Sequence, residues 1–394
     1  MADLPAPFDA PRRVLLGPGP SEAAPSVLRA MSQPLLGHLD PLFLKLMNET
    51  QHMLRQLFQT SNKMTLPISG AGMAGMEACF ANLVEPGDRV LVCANGVFGG
   101  RMADVAGRLG AEVRIVERPW GEVFRPEDLA LPLKEFRPKV VGLVHAETST
   151  GAWQPVPEIA ELCRASDALI VLDTVTSLGG VPVEIDAWDI DAAYSGSQKC
   201  LSCPPGLSPV TFGARALAAS AGRKKKCSSW YLDIGMLANY WGAERAYHHT
   251  APIAMNYALH EACRLALAEG LPARFARHRR CHLALRAGAE ALGLCYAAAK
   301  GCELPMLNAV TIPAGVDDAA ARKFLLDELG IEIGGGLGAF KGKVWRIGLM
   351  GYGANLNNVL LVLAGLEAAL ARQGRAVSGG VAAANAAFAA DVTA

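Results

Sequence analysis

Val140-Val141-Gly142-Leu143-Val144 is apolar at every position, so neither face of this segment is reserved for water. A strand with one wet face alternates apolar and polar residues, whereas a strand covered by helices on both faces does not. The same unbroken pattern recurs in Leu169-Ile170-Val171-Leu172. Further β-rich runs lie at 64–68, 89–93, 112–116, 192–194 and 209–212, with helical stretches between them. Strands that alternate with helices wind into a sheet through crossover connections. The expectation is an α/β chain built on a mostly parallel sheet.

Outward from this centre the pattern changes in both directions. Residues 27–59 carry Phe43, Leu46, Met47, Met53, Leu54, Leu57 and Phe58 at helical spacing and read as mostly helix. An arm containing Gly17-Pro18-Gly19-Pro20-Ser21 precedes them. On the other side, a long helical stretch from about Asn256 to Leu292 leads into a smaller mixture: a strand at 309–312, a helix around Phe324, the cluster Gly334-Gly335-Gly336, a strand at 344–347 and a helix at 359–371. The expected division is an N-terminal arm at 1–24, a large domain at 25–265, a small C-terminal α/β domain at 266–376 and an Ala-rich tail at 377–394.

Composition narrows the function. Hydrophobic residues are 51% and charged ones 19% of 394, enough apolar material for a large core and too little charge for a disordered tail. Lys plus Arg (37) balances Asp plus Glu (37), leaving no global field to gather nucleic acid or anionic lipid. No run reaches the roughly 18 apolar residues of a membrane span. Ten scattered cysteines, and no leader ahead of Pro5, Pro7 and Pro11, point to a reducing cytoplasm. Arg223-Lys224-Lys225-Lys226 reads as a solvated patch. Cys200 and Cys203 form a single C-x-x-C with no second pair, a poor zinc site.

Ser69-Gly70-Ala71-Gly72-Met73-Ala74-Gly75 follows the first strand and opens a helix, so Gly70, Gly72 and Gly75 are expected around a phosphate at a helix N-terminus. A dinucleotide site also needs an acidic residue at the end of the second strand. That strand ends in Val92-Cys93-Ala94-Asn95-Gly96, with Glu85 and Asp88 ahead of it, which weakens a nicotinamide-dependent dehydrogenase. Ser195-Gly196-Ser197-Gln198-Lys199 sets one lysine among small residues beyond a strand, where desolvation makes an amine nucleophilic; an ordinary surface lysine is the alternative. Asp173 ends an apolar strand, as the partner of a buried cation or as a helix cap. Imine-forming lysine, carboxylate for a protonated ring nitrogen, and phosphate loop are the three requirements of pyridoxal 5'-phosphate.

At these positions, and along ordered motifs from about Val14 to Ala371, the chain resembles the alanine:glyoxylate and serine:pyruvate aminotransferases of the class V, fold-type I pyridoxal-phosphate enzymes. The motifs are Leu16 to Ser21, Leu83-Val84-Glu85-Pro86-Gly87-Asp88, Glu147-Thr148-Ser149-Thr150-Gly151, Asp173 to Gly180, Ser195 to Lys199, Tyr231-Leu232-Asp233-Ile234, Tyr247-His248-His249-Thr250 and Arg346-Ile347-Gly348. The resemblance implies a large domain with a mostly parallel seven-stranded sheet and a smaller C-terminal α/β domain. It implies Lys199 as the Schiff-base lysine of an internal aldimine and Asp173 as partner of the pyridinium nitrogen. Val175 and Phe98 correspond to the residues on the two ring faces, Thr148 to a hydroxyl contact, and Ala71, Gly72, Met73 and Gln198 to the phosphate cup. Tyr247 and Thr250 correspond to a pair donated by the second subunit of a homodimer. Arg346 resembles the arginine that grips the substrate carboxylate, for which local sequence alone also allows a salt bridge between strands.

Three positions depart from the family pattern: Phe98 stands where tryptophan is common, and Ala71 and Met73 where serine and histidine are expected. Met73 then offers the phosphate only its backbone N–H. The implied reaction is a ping-pong transfer of an amino group from alanine or serine to glyoxylate or pyruvate, with Gly17-Pro18-Gly19 roofing a small substrate. A class V lyase or cysteine desulfurase is the nearest rival; those enzymes resemble one another in a histidine before the lysine, where this chain has Gln198.

Overall fold

The computed structural model describes residues 4–390. Seven strands form one sheet: β1 Met64–Ser69, β2 Arg89–Ala94, β3 Glu112–Glu117, β4 Val140–Val144, β5 Leu169–Asp173, β6 Ala192–Tyr194 and β7 Leu207–Phe212. Their order is β1-β7-β6-β5-β4-β2-β3. β7 is antiparallel to both neighbours and every other pair is parallel. All of β4 is buried, as its apolar run requires. Val90, Val92, Val140 and Val171 enter the apolar cluster on one face, while Leu91, Leu143, Ile170 and Leu172 enter the cluster on the other.

The antiparallel direction of β7 follows from its connection. Residues 195–206 between β6 and β7 contain no helix, and a parallel return needs a crossover of a dozen or more residues that usually forms one. The place of β1 also decides between readings. It lies at the sheet edge and pairs only with β7. A dinucleotide glycine loop instead follows a strand inside a parallel sheet, beside the reversal of strand order. The nicotinamide reading is therefore overturned.

Both predicted helical stretches are largely helix, and each is divided in two. Residues 27–59 are two helices, Pro25–Met31 and Pro41–Leu57, and 32–40 between them is irregular. Asp40 caps the second helix by accepting from Leu42 N–H at 2.8 Å, with Pro41 in its first turn, the arrangement that starts a helix. The stretch to Leu292 likewise divides into Ile253–Glu269 and Leu271–Ala291, because Pro272 fits only a helix's first turn.

The C-terminal part carries a second sheet of β8 Leu307–Thr311, β9 Gly334–Gly335 and β10 Val344–Gly348, antiparallel in the order β8-β10-β9. Leu285, Val310, Trp345, Leu363 and Leu366 form its own apolar cluster, and Leu16 of the N-terminal arm joins them. The arm is tied there by backbone as well: Val14–Leu15 pairs with Ile331–Glu332, and Leu16 O accepts from Gly348 N–H at 2.8 Å. The Ala-rich tail is helical over Gly380–Ala390 and packs on the helix Leu271–Ala291, where Arg280 donates to Phe388 O at 2.6 Å and stands over its ring. Tail positions 391–394 lie outside the described residues. Among those residues no helix is long and apolar enough to cross a membrane.

Candidate active site

The parallel strands end on one edge of the sheet; Asp173 and Lys199 lie beyond it, and Arg346 approaches them from the second sheet. Asp173 is the last residue of β5 and is buried. Its Oδ1 accepts from Val175 N–H and its Oδ2 from Tyr194 Oη–H, both at 2.8 Å. Burial pushes its carboxyl up to about 7, against the pull of those two donors. Asp173 is thus no simple helix cap; it is a buried carboxylate that binds a proton or a cation readily. Tyr194 is a functional residue that sequence reasoning passed over. It faces Asp173 across the β5–β6 register, a neighbour that only strand pairing reveals.

Lys199 is 8% exposed. Burial lowers its amine to about 8, with Cys200 opposing that shift, Arg346 adding to it and Asp173 opposing it. A useful fraction is therefore unprotonated near neutrality, as a nucleophilic amine requires. Its Nζ donates to Pro18 O of the arm. Gly19 lies against the same side chain with φ +110°, and a Cβ there would stand 2.6 Å from Nζ. Only glycine fits between arm and lysine, so the roof over the amine is bare backbone.

The glycine loop opens the helix Gly72–Leu83, whose N-cap residue Ala71 makes no side-chain cap. Its leading amides are thus available to an anion. Gln198 carries a buried Oε1 without a partner among the described residues; that oxygen is an acceptor, so toward an anion Gln198 has only its amide N–H to offer. Gly72 faces Val175, while Gly75 does not face the anion site: a Cβ there would run into Ser208 and come within 2.9 Å of Tyr194 Cβ. Its role is close packing of the helix on the sheet, which corrects the expectation of three phosphate glycines. Met73 packs on the apolar cluster, and Arg101 stands 4.9 Å from the Phe98 ring centroid.

Phe98 sits at the start of the helix Val97–Arg108, and a buried carboxylate holds that start in place. Glu147 accepts from Phe98 N–H at 3.1 Å and from Ser149 N–H and Oγ–H at 3.0 and 2.6 Å. Burial raises its carboxyl above the usual range, against those donors. Thr148 Oγ1 lies 2.6 Å from Thr176 Oγ1. Glu147 and Thr176 were legible only as letters of longer motifs.

Arg346, in β10, is 7% exposed. Its Nε donates to Gly335 O at 2.8 Å and its Nη1 to Thr148 O at 3.3 Å. It makes no ion pair among the described residues, which removes the reading as an interstrand salt bridge. Burial lowers it to about 10 while Glu147 works the other way, so it remains a cation at neutral pH. A buried guanidinium without a carboxylate is a receptor for one, and its planar fork suits bidentate binding.

Tyr247 and Thr250 are on the exposed segment between the helices Ile234–Trp241 and Ile253–Glu269. Tyr247 is 63% exposed, its ring 5.1 Å from that of His38, and neither residue hydrogen-bonds to Lys199, Asp173 or Gln198 of the same chain. His248 stacks on Trp230, while His249 Nε2 lies 2.8 Å from Ser69 Oγ, at the edge of the glycine loop.

The set fits pyridoxal phosphate. Asp173 matches a protonated ring nitrogen, the uncapped helix start at Gly72 matches a phosphate, and the near-neutral Lys199 amine matches the aldehyde. Known proteins agree. The profile of the class-V aminotransferase family matches residues 14–350. The crystal structure of ureidoglycine-glyoxylate aminotransferase from Bacillus subtilis is 45% identical and superposes with a TM-score of 0.95, covering 97% of this chain and 99% of that one. Alanine–glyoxylate aminotransferase from Nostoc sp. is 51% identical with a TM-score of 0.92, covering 93% and 97%. Alanine–glyoxylate aminotransferase of Drosophila melanogaster is 41% identical, covering 93% of this chain and 94% of its own.

Proposed function

Because the chain belongs to the class V aminotransferases, pyridoxal-phosphate enzymes of fold-type I, we propose that it moves the amino group of alanine or serine to glyoxylate or pyruvate by a ping-pong mechanism. The observation that carries this reading is the buried Arg346, which comes from the second sheet, makes no ion pair among the described residues and lies close enough for its charge to act on the Lys199 amine. One carboxylate-binding cation beside one amine and one ring-nitrogen partner is what a small α-amino acid and its 2-oxo acid share as a receptor. Glyoxylate is favoured because it is common to the names of the relatives. A small donor is favoured by the Gly17-Pro18-Gly19 roof, since any side chain at Gly19 would displace the lysine.

Bound pyridoxal phosphate supplies an electron sink for the bond broken at the substrate α-carbon. The protein's residues do the rest. Arg346 binds the substrate carboxylate and fixes the α-carbon over Lys199. Lys199 Nζ takes the α-proton as general base and returns it as general acid, and a value near 8 suits both directions. Asp173, braced by Tyr194 and Val175, keeps a negative charge against the ring nitrogen. Gly72, Met73 and Gln198 hold the phosphate, Phe98 and Val175 the ring faces, and Thr148 contributes a hydroxyl. Tyr247 and Thr250, exposed on their own subunit, complete the phosphate site of a second subunit in a homodimer with shared active sites. Ten free thiols, most of them buried, support a reducing cytoplasm.

The donor assignment is tested by specificity constants for L-alanine, L-serine and (S)-ureidoglycine with glyoxylate and with pyruvate. We expect alanine or serine with glyoxylate to give the largest kcat/KM. A preference for (S)-ureidoglycine of more than about tenfold, beyond what one small pocket contact yields, would overturn that assignment.

A further inference from the structure

The turn that carries Lys199 is held by its backbone carbonyls. Ser21 N–H donates to Gln198 O at 2.8 Å, and Ser21 Oγ–H donates to Lys199 O at 2.6 Å. The Arg274 guanidinium donates to Cys200 O and, through Nε, to Gly179 O at 2.8 Å. Three consecutive carbonyls are therefore taken by two residues remote in sequence, both buried. Gly179 belongs to the segment that begins at Asp173, so Arg274 also ties that segment to the lysine turn.

Both donors are themselves fixed. Ser21 lies on the arm that Leu16 joins to β10, the strand of Arg346. Arg274 Nη1 pairs with Glu269 at 2.7 Å. Its own carbonyl accepts from His278 Nδ1–H at 2.8 Å, a tautomer set by His278 Nε2 accepting from Gly351 N–H at 2.9 Å. A charged donor on a neutral carbonyl in a dry site makes a strong hydrogen bond.

We propose that Ser21 and Arg274 are positioning residues that clamp carbonyls 198 to 200 and thereby fix where the Lys199 amine stands. The proposal rests on Lys199 being the cofactor-bearing amine. Ser21 and Arg274 bond to the backbone of the turn and not to the side chains of Lys199, Asp173 or Arg346, so both act through the turn. A lysine stem is flexible, and a shift of about 1 Å at a reacting atom costs up to about a hundredfold in rate. The titratable groups acting on Nζ are Cys200 of the turn, Arg346 of β10 and Asp173 of β5, and the arm brings only uncharged Pro18 and Gly19. Slack in the turn lets the amine reach water, so its titration moves back toward that of an ordinary lysine.

The test compares Ser21→Ala, Ser21→Thr and Arg274→Lys with the parent. Lys199 in the cofactor-free proteins is reductively methylated across a pH series and quantified by peptide mass spectrometry, and kcat and KM are measured on the loaded enzymes. Ser21→Ala and Arg274→Lys should raise the Lys199 midpoint by about one pH unit. They should also lower kcat about 3- to 10-fold, the range of one buried hydrogen bond, with donor KM within twofold. Ser21→Thr should restore both. A Ser21→Ala protein with the parent's midpoint and kcat, or one that only melts earlier, overturns the clamp, and this pair decides even if Arg274→Lys does not fold. Borohydride reduction of the loaded parent separates the two readings: cofactor trapped on another lysine defeats the Lys199 assignment, whereas cofactor on Lys199 with an indifferent Ser21→Ala defeats the clamp alone.

Discussion

Replacing Lys199 by alanine is expected to lower amino-group transfer by at least about 10⁴-fold, the combined loss of a general acid–base and a nucleophile. Among the described residues the buried amine has one backbone acceptor, Pro18 O, and no carboxylate bonded to it, so its removal leaves no unpaired charge behind. The folded protein should keep binding pyridoxal phosphate, because Asp173, Gln198 and the open helix start at Gly72 remain. Cofactor content after dialysis, measured beside single-turnover rates, separates lost chemistry from lost binding. Lys199→Arg should not restore the rate, since a guanidinium stays protonated and cannot act as the base. A variant retaining a tenth of the parent's turnover would remove Lys199 from the mechanism.

Asp173→Asn should split stability from activity. In the cofactor-free chain the Asp173 carboxyl is raised by burial to about 7. Between roughly pH 4 and 7 the native state holds a proton that the unfolded chain has released, so this group's contribution to stability falls as pH rises, and the whole penalty is present above 7. Asparagine carries no charge, yet its oxygen still accepts from Val175 N–H and its amide faces Tyr194 Oη. The cofactor-free variant should melt a few degrees above the parent at pH 8, with the gap closing toward pH 4. Turnover should fall about 10²- to 10³-fold, the usual effect of removing one preorganised partner of developing charge. Equal melting at pH 8 would show that Asp173 is not held ionised at a cost.

The central sheet was legible because burial on both faces leaves a simple signature: β4 and β6 have the predicted bounds, and β2, β3 and β5 extend them by one residue. The direction of β7 was not, since it depends on how its connection packs. Helical periodicity overran residues 32–40, where apolar spacing persists after the backbone has left the helix. Within the site, Lys199 and Asp173 were legible as charges placed after apolar strands, while their roles were decided only by the family resemblance. Tyr194, Glu147, Ser21 and Arg274 were not, because their significance lies in register or in contacts between distant segments. Gly75 was misread because a loop glycine and a packing glycine look alike until the opposing Ser208 is in place.

The most direct test is a pair of half-reactions on the protein loaded with pyridoxal phosphate, followed by its visible spectrum. L-alanine or L-serine alone should bleach the band and release a stoichiometric amount of the matching 2-oxo acid with no acceptor present. Glyoxylate added after removal of the donor should restore the band and yield glycine. A spectrum that changes only when both substrates are present together, or a protein that stays colourless with added pyridoxal phosphate, would contradict the account.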